Sequence, residues 1–166
     1  MTIIPIPDEV KLRLQAFIDF CHEHNPRSIA TEISLYCDDL NDDGDLKFPW
    51  AGTADNVMEI DGKIWLIDIK TGKEYKSHEL QLTSYKILWD HIYGDELGKI
   101  DIIAGLYLTS RGKYKLVKYK FQLYVWFNIY EMFEYNLKDK RGNMPKIKIK
   151  DELPDIYSIK GEKKDG

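Results

Sequence analysis

Apolar residues recur at three- and four-residue spacings over positions 8 to 24. Val10, Leu12, Leu14, Phe17, Ile18, Phe20 and Cys21 follow an acidic Asp8-Glu9 start and precede Asn25-Pro26. That period predicts an amphipathic helix. From Ile29 the period becomes two, with Ile29, Thr31, Ile33, Leu35 and Cys37 on one side and Ala30, Glu32, Ser34 and Tyr36 on the other, which predicts a strand. The polar segment DDLNDDGDL interrupts the pattern. Residues 57–70 then read as two strands about Asp61-Gly62, a dipeptide suited to a two-residue hairpin turn. Both hairpin faces are largely apolar, with Trp65, Ile67 and Ile69 on one and Val57, Ile64 and Leu66 on the other. Such strands belong in the middle of a sheet covered on both sides.

A helical period returns over 77–93, where Leu80, Leu88, Trp89, Ile92 and Tyr93 precede Gly94. Segments 101–109 and 113–120 read as a strand pair about Ser110-Arg111-Gly112, and the aromatic run from Phe121 to Leu137 is long enough for a further helix. The order α, β, β, β, α, β, β, α predicts an α/β fold with a mixed central sheet flanked by helices. A single domain is expected over residues 1–137, with a basic, mobile tail over 138–166.

Composition narrows the class. With 166 residues, 43% of them hydrophobic and 31% charged, the chain has the material for one core and is not of a disordered or collagen-like kind. No apolar run approaches the ~18 residues of a membrane span, and the start MTIIPIPDEV lacks a basic segment followed by an apolar one. The expectation is a soluble, intracellular, cytoplasmic protein. Cys21 and Cys37 are too few for a four-cysteine zinc or iron–sulfur site, and are expected as thiols in a reducing compartment.

The net charge of -4 hides a segregation. Residues 1–61 hold 4 basic and 13 acidic side chains, whereas residues 111–150 hold 11 basic and 3 acidic ones. An acidic half suits metal binding, and a basic strip at Arg111, Lys113, Lys115, Lys118 and Lys120, with Lys138, Lys140 and Arg141 beyond it, suits phosphates. Alternation puts Arg111, Lys113 and Lys115 on one strand face and Lys118 and Lys120 on the other.

The hairpin turn adds a geometric expectation. A two-residue loop at 61 and 62 pairs Asp55 with Asp68, their carboxylates on one face with Cβ atoms about 4.5 to 5.5 Å apart. Like charges held between apolar strands destabilise the fold unless a cation or shared proton offsets them, and a hard divalent ion is the natural partner. Lys70 emerges on the same face, opposite Thr53. A salt bridge from Lys70 to one aspartate would leave the other unpaired, so an acid, metal and lysine cluster suited to phosphodiester hydrolysis is preferred.

These residues form an ordered series: GTAD at 52–55, DIKTG at 68–72 and QLTSY at 81–85. The series resembles the PD-(D/E)XK nuclease superfamily, in particular its RecB-like branch, over roughly residues 28–93. Ala54 stands where the superfamily name has proline. The resemblance implies a restriction-endonuclease-like core of order αβββαβ and a catalytic set of Asp55, Asp68, Lys70, Gln81 and Tyr85. It implies Mg²⁺ or Mn²⁺ held by Asp55, Asp68 and the Ile69 carbonyl. Gln81 and Tyr85, four apart, share one helix face. A further acidic ligand is expected at Glu32, and the first helix offers His22, Glu23 and His24.

Other signals are weaker. His22 and His24 are two apart on a helix and cannot chelate one ion together, so they are expected to be solvated. Asp39, Asn41, Asp43 and Gly44 match half of an EF-hand loop, yet Trp50 stands where its last ligand belongs. Lys70-Thr71-Gly72 matches a β-lactamase triplet without the accompanying Ser-x-x-Lys. The leading expectation is therefore a Mg²⁺- or Mn²⁺-dependent deoxyribonuclease, an exonuclease in recombination, repair or phage DNA processing. Its implied partners are DNA and either a second copy or a recombination or repair protein, with no membrane. The alternative is a nuclease-like module that holds DNA or a protein without cutting.

Overall fold

A computed structural model of the chain describes residues 6–37 and 50–141, with side chains through 132. Its elements are α1 (Asp8–His24), β1 (Arg27–Cys37), β2 (Trp50–Ile60), β3 (Lys63–Lys70), α2 (Ser77–Ile92), α3 (Gly94–Leu97), β4 (Ile102–Leu108), β5 (Tyr114–Tyr119) and α4 (Leu123–Arg141). The fold is α/β: one five-stranded mixed sheet of order β1-β2-β3-β4-β5, flanked by helices. β3 and β4 run parallel, and the other neighbouring pairs are antiparallel. A parallel pair needs a crossover, which α2 and α3 supply. Among the described residues, no helix is long and apolar enough to cross a membrane.

Local chemistry sets the boundaries. Asn25, with φ 43° in the left-handed region, ends α1 and donates its N–H to the Cys21 carbonyl. Asp61 and Gly62 both have positive φ, as a type I′ turn requires, and the register Ile60↔Lys63 through Asn56↔Ile67 follows from that tight loop. β2 begins at Trp50 rather than at Val57, and α4 runs past Leu137 to Arg141. The EF-hand-like residues Asp39, Asn41, Asp43 and Gly44, and the tail from 142 onward, lie outside the described residues.

The sheet is covered on both sides. On one side Ala16 and Phe20 of α1 pack on Met58, Ile60, Trp65, Ile67, Ala104 and Leu106. On the other, Leu82, Leu88 and Trp89 of α2 pack on Leu35, Ala54, Val57, Leu66 and Ile103. Cys37 belongs to the α2 side and Cys21 to the α1 side.

Strict alternation fails on β1, which corrects the expectation for that strand. Ala30 and Ile33, three apart, both pack on the α2 side, and so do their partners Val57 and Ala54. Each strand therefore skips one step, β1 at Thr31-Glu32 and β2 at Asp55-Asn56. A bulge between Ser28 and Ala30 and a φ of 49° at Glu32 mark the disturbance. A glutamate in the left-handed region is costly, and here it sits between the rungs Thr31↔Asn56 and Ile33↔Ala54.

Candidate active site

The break in β2 sits where the hairpin ladder ends. Asp55 and Asp68 do not form the next rung: the Asp55 carboxylate accepts the backbone N–H of Ile69 through Oδ2 at 2.7 Å. A side chain here takes the role of the missing ladder bond and anchors Asp55 against the end of β3. Lys70 lies opposite Tyr107 of β4, while Thr53 pairs with Ser34 of β1.

Asp68 is 4% exposed, and its Oδ2 stands 2.6 Å from Lys70 Nζ. That contact is close but poorly aligned, and the same oxygen has no well-formed hydrogen bond. Burial pushes the Asp68 carboxyl above the usual aspartate value; Lys70 opposes the shift, the Asp55 charge adds to it, and His78 opposes it. Desolvation thus outweighs the lysine, so the site holds an under-compensated carboxylate.

Lys70 Nζ also donates to Gln81 Oε1 at 3.4 Å, and Gln81 Nε2 donates to the Tyr85 hydroxyl at 3.0 Å. Tyr85 in turn lies across Gly52. A Cβ on Gly52 would stand 2.2 Å from the ring, so this glycine is required by the close approach of α2. Gly52, Lys70, Gln81 and Tyr85, from three separate stretches of chain, therefore meet by direct contact.

The other candidates divide. Glu32 is exposed, and no three His, Cys, Asp or Glu side chains come together to hold an ion among the described residues. Glu32 thus does not complete a three-carboxylate cluster with Asp55 and Asp68. His22 is exposed, but His24 is not simply solvated: it is half-buried, packs on Phe20 and bonds the Tyr114 hydroxyl at 3.1 Å. Glu23 bonds the same hydroxyl, and burial followed by Glu23 pushes the Tyr114 phenol up to about 12. Both side chains clamp α1 to β5 on the side of the sheet away from Asp68.

The basic strip is split by β5 as alternation requires. Lys115 lies opposite Tyr107 and pairs with Glu74 at 2.7 Å, whereas Lys118 lies opposite Ala104 and sits 4.6 Å over the Trp65 ring. Arg111, Lys113 and Lys120 are exposed, and the side chains of Lys138, Lys140 and Arg141 lie outside those described.

Sequence reasoning missed a hydrogen-bonded row beside Asp68. His78 Nδ1 lies 2.7 Å from the Tyr107 hydroxyl, which lies 2.5 Å from the Tyr119 hydroxyl. The signal was the spacing His78, Gln81, Tyr85, which places the histidine on the same face of α2.

The donors present fit a divalent ion. Two carboxylates, one with a buried oxygen lacking an aligned partner, give hard oxygen ligands, and Mg²⁺ is commonly bound by one or two carboxylates with waters and substrate phosphates completing its shell.

No protein-family model matches the sequence, and no curated protein matches it. Among solved structures the chain is similar to the crystal structure of a "Putative exonuclease" from Eubacterium rectale, with a TM-score of 0.50 and 14% identity. The match covers 83% of this chain and 55% of that one, so this chain spans little more than half the length of that protein. At such identity the likeness concerns the fold: a mixed sheet flanked by helices, consistent with a restriction-endonuclease-like architecture.

Proposed function

We propose that the chain is a metal-dependent nuclease of the PD-(D/E)XK superfamily, RecB-like branch, that hydrolyses DNA phosphodiester bonds. The observation that carries this reading is the assembly of Asp55, Asp68 and Lys70 at the end of β3 with the Gln81–Tyr85 pair locked over Gly52. The exonuclease-like fold neighbour supports it.

In this reading Asp55 and Asp68 hold Mg²⁺ or Mn²⁺, with the Ile69 carbonyl as a further ligand. When bound, the ion would polarise a phosphoryl oxygen and lower the pKa of a water. The chain's own residues do the rest. Asp55 is oriented by the Ile69 N–H, so its remaining oxygen has a fixed direction. Lys70, tethered by Asp68 and Gln81, orients the attacking water or stabilises charge developing on phosphorus. Gln81 and Tyr85 hold the lysine in place, and of the segregated basic residues Arg111, Lys113 and Lys115 are the proposed DNA contacts, with Lys118 and Lys120 on the opposite face of β5. Within the cell, DNA and a second copy or a repair protein are the proposed partners.

The test is purified protein on linear and circular DNA with Mg²⁺, with Mn²⁺ and with EDTA. Cleavage that needs the metal and is lost in Lys70→Ala supports the reading, and cleavage of linear DNA alone assigns an exonuclease. Intact DNA under every metal condition, with tight binding retained, would favour the non-cutting module.

A further inference from the structure

One face of α2 presents His78, Gln81 and Tyr85 to three successive strands. Tyr85 covers Gly52 of β2, Gln81 reaches Lys70 of β3, and His78 bonds Tyr107 of β4. Because β3 and β4 run parallel with Asp68 beside Gly105 and Lys70 beside Tyr107, the imidazole stands one strand from the candidate metal ligand. Gly105 makes room for this row. A Cβ there would lie 2.8 Å from the Tyr107 ring and 3.2 Å from the Tyr119 ring.

The contacts at Nδ1 favour one tautomer of His78. The backbone N–H of Tyr75 points at His78 Nδ1 from 3.5 Å, and a backbone N–H can only donate. With Nδ1 as the acceptor the ring proton sits on Nε2; the Tyr107 hydroxyl at 2.7 Å is then its main donor, the Tyr75 N–H a long secondary one, and the Tyr119 hydroxyl donates to Tyr107. Burial and the Tyr107 contact push the Tyr119 phenol well up, so it retains the proton it donates. His78 is half-buried with Tyr75 packed edge-on against it, and its Nε2–H has no partner among the described residues.

We propose that His78 is a substrate-binding residue of this site, its Nε2–H donating to a non-bridging phosphate oxygen of the strand being cut, with Tyr107 and Tyr119 as positioning residues. The proposal rests on the nuclease reading. Steady-state cleavage of an oligonucleotide in Mg²⁺ by wild type, His78→Ala, His78→Gln and Tyr107→Phe tests it.

Loss of a hydrogen bond to a charged group raises KM about tenfold or more in His78→Ala, with kcat much less affected. His78→Gln, which supplies an N–H, recovers part of the loss, and Tyr107→Phe, which frees the ring, gives a smaller rise. If the alanine variant does not fold, His78→Phe keeps a ring without the N–H and has the same expected KM. A methylphosphonate placed at the contacted phosphate costs wild type affinity but costs His78→Ala nothing further. An active wild type whose KM is unmoved by these changes overturns the assignment alone. A wild type that cleaves no DNA overturns the nuclease reading and the assignment with it.

Discussion

On the side of the sheet covered by α1, strands β2 to β4 contribute Met58, Ile60, Trp65, Ile67, Ala104 and Leu106 to an apolar core closed by Phe20. On the side covered by α2, neighbouring positions of the same strands begin as core with Val57, Leu66 and Ile103 and then give way to Asp68 and Lys70. The two buried polar residues among those described, Asp68 and Thr83, both belong to the α2 side. One face therefore supplies stability, and the other gives some of it up for a charged site at the carboxyl ends of the parallel strands, where open α/β sheets place their ligands. Substitutions on the two faces should separate stability from activity.

The largest effect is expected from Asp68→Asn, which should lower cleavage at least about a hundredfold. Stability should move the other way. The native Asp68 carboxyl titrates above its unfolded value, so its stabilising contribution is complete below the unfolded value of 3.8 and is lost as pH rises through the native one. At pH 7 in EDTA the variant should melt at or above the wild-type temperature, and this advantage should shrink as pH falls toward 3.8. A large drop in melting temperature at pH 7 would instead make the Asp68–Lys70 pair a structural salt bridge.

Phe20→Ala gives the opposite profile. Phe20 is fully buried against the Tyr114 and His24 rings, and its truncation should cost about 3–5 kcal/mol in denaturant unfolding. Per folded molecule, cleavage should equal that of wild type below the new melting point. A fall in kcat among folded molecules would show that the α1 side also shapes the site.

The two sides were not equally legible in the sequence. Periodicity located α1, α2 and the hairpin, because each is fixed by contacts close in sequence: the Asp61-Gly62 turn alone sets the register down to Asn56↔Ile67. What it could not show was the step at Thr31-Glu32, since alternating polarity continues through it while the backbone does not; at Asp55-Asn56 two adjacent polar residues interrupt the alternation where the backbone steps. Glu32, expected as a ligand from its place on the strand face opposite Ile29, Ile33 and Leu35, is exposed. The row His78, Tyr107, Tyr119 was hidden differently: it joins α2, β4 and β5, and only the parallel β3–β4 register sets it beside Asp68.

Gly52 and Gly72 provide a finer test. Gly52→Ala forces Tyr85 aside and should cost about 1–3 kcal/mol together with activity. Gly72, in the loop after β3, has open space where its Cβ would be, and Gly72→Ala should stay within about 0.5 kcal/mol of wild type. Equal effects at the two glycines would mean that the Tyr85 ring does not depend on Gly52 for its place.

The smallest expected effect concerns how a chain of net charge -4 meets DNA. Lys115 points to the α2 side beside Tyr107, next to the proposed phosphate contact, and Lys118 points to the α1 side, held over Trp65 by a cation–π contact of about 0.5–1 kcal/mol. Removing one lysine–phosphate interaction should flatten the slope of log affinity against log salt by about 0.9 on duplex or about 0.7 on single strands. Charge reversal at Arg111, Lys113 and Lys115 should therefore flatten the slope, measured in Ca²⁺ to suppress cleavage, and reversal at Lys118 and Lys120 should leave it unchanged. A larger change from the second pair would route DNA across the α1 side and undo the division of labour between the faces. If neither group alters the slope, the strip is a solvated surface, and the phosphates must be held by other residues, of which His78 and Lys70 are the first to test.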